Sequence, residues 1–276
     1  MQTLNGKTVI VTGSSRGIGL AIALRCAKDG ANVVIAAKSE EPHPKMGGSI
    51  HESAAAVKAA GGNPLPVVVD VRDEAQVQSM IEKTVQTFGG IDVIVNNAGA
   101  ISLTTVEMTP IKRYDVIQGV NTRALFLVSS LALPYLKQAK NPHIISLSPP
   151  LNLDPKWLAP HAPYTVSKYG MTMLALGMAG EFKGYGIAVN CLWPRTIIAT
   201  AAIEFVLGGR RMFRYCRTTD IVADAAYMLM VSDSRQVTGQ TLIDEAWLRT
   251  NGCTDFTRYA YDPEHPENLR QDLFVE

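Results

Sequence analysis

Two side chains four residues apart, Tyr164 and Lys168, form a pair that could carry out acid–base chemistry. They stand at the start of a stretch with helical patterning, and residues at this spacing lie on one face of a helix, one above the other. A free tyrosine ionises near pH ~10. A lysine ammonium beside it favours the phenolate, and lowering the pKa of the phenol by about three units corresponds to roughly 4 kcal/mol. Such a tyrosine could exchange a proton with a substrate oxygen, although two unrelated surface residues would show the same spacing.

The beginning of the chain offers a place for a nucleotide. The β-branched apolar run 7–12 predicts a buried strand, and three glycines at 13, 17 and 19 follow it directly. A helical pattern comes next, and Gly30 closes it. A strand, a glycine-rich turn and a helix in this order are typical of a dinucleotide-binding unit, because the glycines let the backbone approach a pyrophosphate and the helix supplies N–H groups. A plain tight turn between strand and helix is the alternative.

The end of the second predicted strand, 32–37, bears on the choice of cofactor. Many NAD-binding units carry an acid here for the ribose 2′-hydroxyl, whereas this chain has Lys38 followed by Ser39. Lys38, helped by Arg16 in the glycine turn, would attract a 2′-phosphate. The sequence therefore predicts NADP over NAD, with a solvated surface lysine as the alternative reading of Lys38.

Further strands and helices alternate along the chain. After the third strand, 65–69, Asp70 could accept a hydrogen bond from an adenine amine or simply cap a turn. Residues 73–76 predict a capping box for the helix that follows. Four more strands are predicted at 91–95, 143–148, 186–192 and 240–244. The alternation indicates an α/β fold with a parallel sheet.

Composition excludes several classes of function. The 276 residues are 47% hydrophobic and 18% charged, and the formal net charge is +1. Near-neutral charge gives no support for nucleic-acid binding. We find no apolar run of membrane-spanning length and no signal-peptide character, so a cytoplasmic protein without a membrane span is expected. The four cysteines are widely spaced and the histidines have no nearby ligand partners, so neither a metal site nor a disulfide framework is predicted.

Several of these motifs together resemble the short-chain dehydrogenase/reductase family over about residues 5–245. The resemblance rests on Thr12-Gly13-x-x-x-Gly17-x-Gly19, Asn96-Asn97-Ala98-Gly99, Asn121 and Tyr164-x-x-x-Lys168. It implies one doubly wound Rossmann domain over residues 1–276, with a seven-stranded parallel sheet in the order 3-2-1-4-5-6-7 flanked by helices. It also implies hydride transfer between NADP(H), with NAD(H) as the alternative, and a small-molecule carbonyl or alcohol. Homodimers or homotetramers are common in the family.

The resemblance also implies roles for particular residues. Tyr164 would be the general acid/base, Lys168 would bind the nicotinamide ribose and lower the pKa of Tyr164, and Asn121 would hold a water in a proton relay. Asn121 could instead, or in addition, kink its own helix by bonding backbone. The chain departs from the family at the end of the fifth strand, where the usual Ser-Ser pair reads Ser148-Pro149. Ser148 is therefore the candidate to polarise the substrate carbonyl.

The predicted cofactor contacts lie at the carboxyl ends of the strands. They are Gly13, Ser15, Arg16, Gly17, Ile18, Gly19, Lys38, Asp70, Val71, Asn97, Ala98, Gly99, Tyr164, Lys168, Pro194 and Ile197. A substrate lid is expected at about 199–218, and Thr200 within it is placed near the phosphates.

Two questions stay open at the level of sequence. The tail 246–276 could wrap a neighbouring subunit or close the pocket. The departure at Ser148 also leaves a non-catalytic NADP-binding sensor or scaffold as the alternative function.

Overall fold

The computed structural model describes residues 2–206 and 208–276, and its centre is one sheet of seven parallel strands. The strands are β1 (Thr8–Thr12), β2 (Asn32–Ala37), β3 (Asn63–Val68), β4 (Val93–Asn96), β5 (His143–Ser146), β6 (Ala188–Trp193) and β7 (Thr241–Ile243). Their order is β3-β2-β1-β4-β5-β6-β7, and every pair is parallel. The predicted fold and strand order are therefore confirmed.

Helices cover both faces of this sheet. They are α1 (Gly17–Ala27), α2 (Ile50–Ala59), α3 (Glu74–Phe88), α4 (Ile111–Gln118), α5 (Ala124–Leu136), α6 (Pro155–Leu158), α7 (Ala162–Phe182), α8 (Ala201–Val206), α9 (Asp220–Met230) and α10 (Asp244–Thr250). One buried cluster joins the sheet to α1, α2, α9 and α10. A second joins it to α3, α5 and α7. Burial on both faces explains why the strands read as continuous apolar runs.

The fifth strand ends two residues earlier than predicted. β5 stops at Ser146, and the chain continues through Ser148 to Pro149 and Pro150. Proline has no N–H to donate to a neighbouring strand, so this segment cannot extend the ladder. The alternation of side chains along the extended backbone continues past the end of the ladder and determines which of them point towards the cleft.

The predicted capping box of α3 is only half formed. Asp73 accepts a hydrogen bond from the backbone N–H of Gln76 at 3.0 Å. The Gln76 side chain does not return to the Asp73 backbone. Its Oε1 accepts from the N–H of Asp70 at 2.9 Å, which ties the start of α3 to the loop after β3.

One helical run is longer and more apolar than the sequence analysis anticipated. The run Ile111–Leu136 is long and apolar enough to cross a membrane, which corrects the expectation that no such run exists. A core helix passes the same test, and 44% of the window is buried within the protein. A membrane span is therefore not supported.

Cys26, Cys191 and Cys216 are buried free thiols, and Cys253 is a partly exposed one.

Candidate active site

The glycine turn after β1 is bound directly to the segment after β4. The side chain of Asn97 donates to the carbonyls of Thr12 at 2.8 Å and Gly13 at 3.2 Å. The Thr12 hydroxyl accepts from the N–H groups of Asn97 and Ala98. A Cβ on Gly19 would lie 2.5 Å from Asn97 Nδ2, and one on Gly13 would lie 2.9 Å from Ala98 Cα. The glycines are therefore required by close packing as well as by the turn.

The charged groups predicted for the adenosine end are engaged with protein partners. Arg16 donates to the Gly47 carbonyl at 2.9 Å and to the Ser39 hydroxyl at 2.8 Å. Asp70 is clamped by Arg72 at 2.6 Å, which holds the pKa of its carboxyl well below the usual range, and it also accepts from the N–H of Arg72. Asp70 thus closes a turn, and any adenine contact would compete with Arg72. Lys38 lies 3.5 Å from Asp70, and 63% of its side chain is exposed.

Tyr164 and Lys168 lie one turn apart in α7 and line the same cleft. Both are nearly buried, with 5% and 6% of their surface exposed. Lys168 Nζ donates to the carbonyl of Leu147 at 2.7 Å and lies 5.1 Å from the ring centre of Trp193. A Cβ on Gly99 would lie 4.0 Å from Lys168 Nζ, so the ammonium reaches the end of β4. The predicted pair therefore lies in one cleft with Ile18 of the glycine turn and with Asn97 and Gly99 of the segment after β4.

The pKa of Tyr164 is raised, although the sequence predicts that it is lowered. Burial raises it above its usual value, and the negative charge of Asp272 raises it further. Burial also lowers the pKa of Lys168 to about 8, while Asp272 and Cys191 act in the opposite direction. In the protein alone, desolvation is thus the main influence on the phenol, and its pKa is not lowered as the Tyr164–Lys168 spacing predicted.

Asn121 lies in a single π-helical turn, Gly119–Arg123, between α4 and α5. Its side-chain oxygen accepts from the N–H of Ala100 at 2.8 Å. Its nitrogen donates to the Ala100 carbonyl at 3.0 Å and to the Ser167 hydroxyl at 2.8 Å. The amide thus fastens the loop after β4 to α7 and does not bond to its own helix. The helix is irregular at Asn121, as expected, but the cause considered for it, an amide that bonds the backbone of its own helix, is wrong.

Ser148 is fully buried and does not line the cleft. Its hydroxyl lies 3.0 Å from that of Ser146, while Leu147 lines the cleft. Successive side chains of an extended segment point to opposite sides, which explains this arrangement. The catalytic role of Ser148 stays a prediction, and its position weighs against it.

The segment after β6 supplies another wall of the cleft. Pro194, Ile198, Thr200 and Ile203 line it, so part of the predicted lid covers the site. Ile198 lines the cleft and Ile197 does not; the backbone of Ile197 instead pairs with Arg270 and Arg217. The α8 helix and a 3-10 turn, Arg210–Tyr215, build the rest of the lid region, and residue 207 lies outside the described residues.

The tail contributes residues that the sequence analysis did not assign to the site. Asp272 and Leu273 line the cleft beside Tyr164 and Lys168. Phe274 is buried among aromatic rings that include Tyr164, at a centroid distance of 6.3 Å. No local sequence signal indicated this, because the contact joins residues more than one hundred positions apart.

Comparisons with known proteins agree with this geometry. Residues 7–206 match the model of a family described as short chain dehydrogenase. The chain belongs to the short-chain dehydrogenase family, a family of oxidoreductases.

The same family appears among individual relatives. The chain is 54% identical over 273 residues to hydroxysteroid dehydrogenase-like protein 2 of Xenopus tropicalis, covering 99% of this chain and 64% of that protein. It is 48% identical to a short chain dehydrogenase homologue of Mycobacterium thermoresistibile, with a TM-score of 0.93 and coverage of 99% and 96%. A Mycobacterium paratuberculosis short chain dehydrogenase solved bound to NAD shares the fold, with 21% identity, a TM-score of 0.74 and coverage of 88% and 97%. The chain thus spans less than two thirds of the curated relative.

Proposed function

We propose that this short-chain dehydrogenase transfers a hydride between NADP(H) and a carbonyl or alcohol substrate, with Tyr164 exchanging the proton. The observation that supports this most strongly is the meeting of Tyr164, Lys168 and the segment Asn97–Gly99 in one cleft at the carboxyl ends of the strands. Ligands of open α/β sheets bind at this edge. Since the chain spans only part of its curated relative, the activity of any longer protein is part of the same proposal.

The residues present fit a nicotinamide dinucleotide. Gly13 and Gly19 stand where a Cβ would collide with neighbouring protein atoms, so glycine is required for the turn to pack against the segment after β4. A strand, a glycine turn of this kind and a helix are the arrangement that binds a pyrophosphate. When bound, the nicotinamide supplies or accepts the hydride. The protein itself places the phenol of Tyr164 and the ammonium of Lys168 in the cleft beside the proposed cofactor site.

Each residue of the site then has a distinct task. Tyr164 donates a proton to the substrate oxygen in reduction and accepts it in oxidation. Lys168 stabilises negative charge on the phenol and offers hydrogen bonds to a ribose. Asn121 fixes the Ala100 loop against α7 and, as the family resemblance implies, helps to hold a relay water.

The preference for NADP rests on Lys38 and Ser39 at the carboxyl end of β2. Lys38 is well exposed, and its 3.5 Å distance to Asp70 leaves it able to turn towards a phosphate. The guanidinium of Arg16 already contacts the Ser39 hydroxyl, so this end of the cleft carries a second positive charge near the carboxyl end of β2. NAD remains the alternative cofactor.

The cleft suits an apolar substrate. Ile101, Trp193, Ile203 and Leu273 are among the apolar residues that line it. We therefore propose a lipid-like or aliphatic carbonyl or alcohol, in agreement with the name of the Xenopus relative. A non-catalytic sensor or scaffold is not favoured, because such a protein would not need the tyrosine and lysine in the cleft.

The proposed chemistry can be tested with a panel of aliphatic and steroid ketones, aldehydes and alcohols, followed by NADPH absorbance. Tyr164→Phe should lower turnover by about 10²- to 10⁴-fold, the usual contribution of a general acid or base, and leave NADPH affinity nearly unchanged. Tyr185→Phe, at a half-exposed tyrosine after α7, is the matched control and should keep full turnover. Turnover that survives in Tyr164→Phe would remove the proton-transfer role from Tyr164. Ser148→Ala in the same assay decides whether Ser148 polarises the carbonyl.

We further propose that the protein is a homodimer or homotetramer. Large apolar side chains on the outer surfaces of α5 and α7 are exposed, with Phe126 at 55% and Met173 at 63%. An apolar groove between α4 and the start of α7 lies beside them. A second copy of the chain would cover these surfaces. The cytoplasmic location stays a prediction.

A further inference from the structure

The tail residue Asp272 lies where a carboxylate is expected only if other groups stabilise it. It lies in the cleft beside Tyr164 and Lys168, although it is about one hundred residues away in the chain. Moving a carboxylate from water into a partly buried cleft is unfavourable unless it gains compensating interactions. In this cleft the nearby positive charge is the Lys168 ammonium, which acts on the pKa of Asp272 in the stabilising direction.

Backbone hydrogen bonds hold the tail in this place. The N–H of Asp272 donates to the Arg195 carbonyl at 3.0 Å, and the N–H of Ile197 donates to the Arg270 carbonyl at 3.0 Å. Gln271 forms an antiparallel bridge with Thr196. The segment 270–273 therefore runs along the loop after β6 as a short added strand.

Side chains on either side of Asp272 complete the attachment. Trp193 Nε1 donates to the Leu273 carbonyl at 2.8 Å, and Phe274 is buried between Tyr164 and three other aromatic rings. One oxygen of Asp272 accepts from the N–H of Leu273 at 2.7 Å. Asp272 is partly exposed, and it lines the cleft. The carboxyl group is thus positioned on a fixed segment.

We propose that Asp272 is a positioning residue for the proton transfer: the tail carries its carboxylate into the cleft, where its charge acts on Lys168 and Tyr164. The inference rests on the proposed function. The carboxylate stabilises the ammonium of Lys168 and opposes ionisation of the phenol. It therefore adds to the effect of burial, which already keeps Tyr164 protonated, the state that donates a proton to a carbonyl.

Several other titratable groups face this pair. Asp244, at the start of α10, is fully buried. The pKa of Asp272 is raised to about 7, chiefly by burial and further by the charge of Asp244. Cys216, in the lid region, is close enough for the charge of Asp272 to raise its pKa, and Cys191, on β6, acts on the pKa of Lys168. Burial raises the pKa of both thiols. They therefore stay neutral near pH 7, and of the two groups that raise the pKa of Lys168, Asp272 has the larger effect and Cys191 the smaller.

The effect can be measured on Lys168 without a substrate. The full-length chain is labelled with ¹³Cε-lysine, the resonance of Lys168 is assigned by its absence in Lys168→Arg, and its titration is followed by NMR. Asp272→Asn keeps an acceptor for the Leu273 N–H but removes the charge. The midpoint of Lys168 should then move to lower pH by about half a unit or more, and Asp272→Glu should restore part of it.

A matched control separates charge from packing. Glu276→Gln removes a carboxylate from the same tail, where Glu276 pairs with Lys156 at 2.9 Å on the surface. It should leave the Lys168 midpoint in place. An unchanged midpoint in Asp272→Asn, or an equal shift in Glu276→Gln, would overturn the inference.

Activity gives an independent second readout. With any alcohol that the panel identifies, the pH profile of oxidation in Asp272→Asn should move to lower pH, because the phenol ionises more easily without the carboxylate. A panel without turnover would argue against the proposed function and leave the Lys168 titration still decisive for Asp272. Turnover together with an unchanged titration midpoint of Lys168 would overturn the role of Asp272 and leave the proposed function standing.

Discussion

Burial decides the protonation of the two central side chains. Tyr164 and Lys168 sit within a few per cent of full burial, and desolvation favours the neutral form of each. The pKa of the phenol is therefore raised and that of the amine lowered to about 8. Spacing in the sequence indicates that two groups can meet, whereas the sign of their pKa shifts depends on how much water surrounds them.

At the residue scale, the preference for NADP predicts the result of a charge reversal at Lys38. Lys38→Asp should lower the NADPH:NADH affinity ratio by about tenfold or more, since reversing a charge near a phosphate changes the interaction by at least ~1.4 kcal/mol. Dissociation constants measured by fluorescence titration check this. Lys58→Asp, on the exposed surface of α2, is the control and should not change the ratio. An unchanged ratio in Lys38→Asp would refute the assignment.

At the element scale, α7 is the helix that brings the site together. It carries Tyr164 and Lys168, and it receives the Asn121 amide through Ser167. The Thr122 hydroxyl donates to the Ser167 carbonyl at 2.8 Å, so the π-helical turn contacts α7 at two points. This approach is possible because residue 170 is a glycine. A Cβ there would lie 2.9 Å from Thr122 Cγ2.

Gly170→Ala should therefore destabilise the protein by roughly 1–3 kcal/mol, the usual effect of an added methyl in a packed contact. Displacement of the Asn121 turn should lower turnover as well. Gly184→Ala, just after the same helix and with no atom within 4 Å of its Cβ, should instead stabilise the protein by up to ~1 kcal/mol. Urea denaturation measures both changes. If Gly170→Ala unfolds at the wild-type urea concentration, the close contact does not constrain α7.

At the scale of the whole molecule, the exposed apolar surfaces of α5 and α7 predict self-association. Phe126→Glu combined with Met173→Glu should convert the oligomer to a monomer, because burying two new carboxylates at an interface is strongly unfavourable. Light scattering after size-exclusion chromatography measures the mass. Val68→Glu, on the edge strand β3, is the control and should leave the mass unchanged. A wild-type protein that is monomeric at micromolar concentration would contradict the proposal directly.

Local patterns were sufficient for much of this molecule. The strands, the glycine turn, Asn97–Gly99 and the Tyr164–Lys168 pair are short-range features, because backbone sterics, β-branched runs and helical spacing act over a few residues. The parallel order of the sheet followed from the family resemblance and is confirmed. The Rossmann architecture and the existence of a tyrosine–lysine cleft were thus determined by the sequence by itself.

Only the tertiary structure decided the environment of that cleft. It placed Ser148 against Ser146, clamped Asp70 with Arg72, and brought Asp272 and Phe274 to the side of Tyr164. The contacts of Asp272 and Phe274 join segments more than one hundred residues apart, and no local periodicity records them. The contacts of Ser148 and Asp70 are local, but the sequence pattern alone does not say which partner a polar side chain takes. Since the pKa of a group reflects all the charges and water around it, the chemistry of Tyr164 belongs to the folded protein and not to its motif.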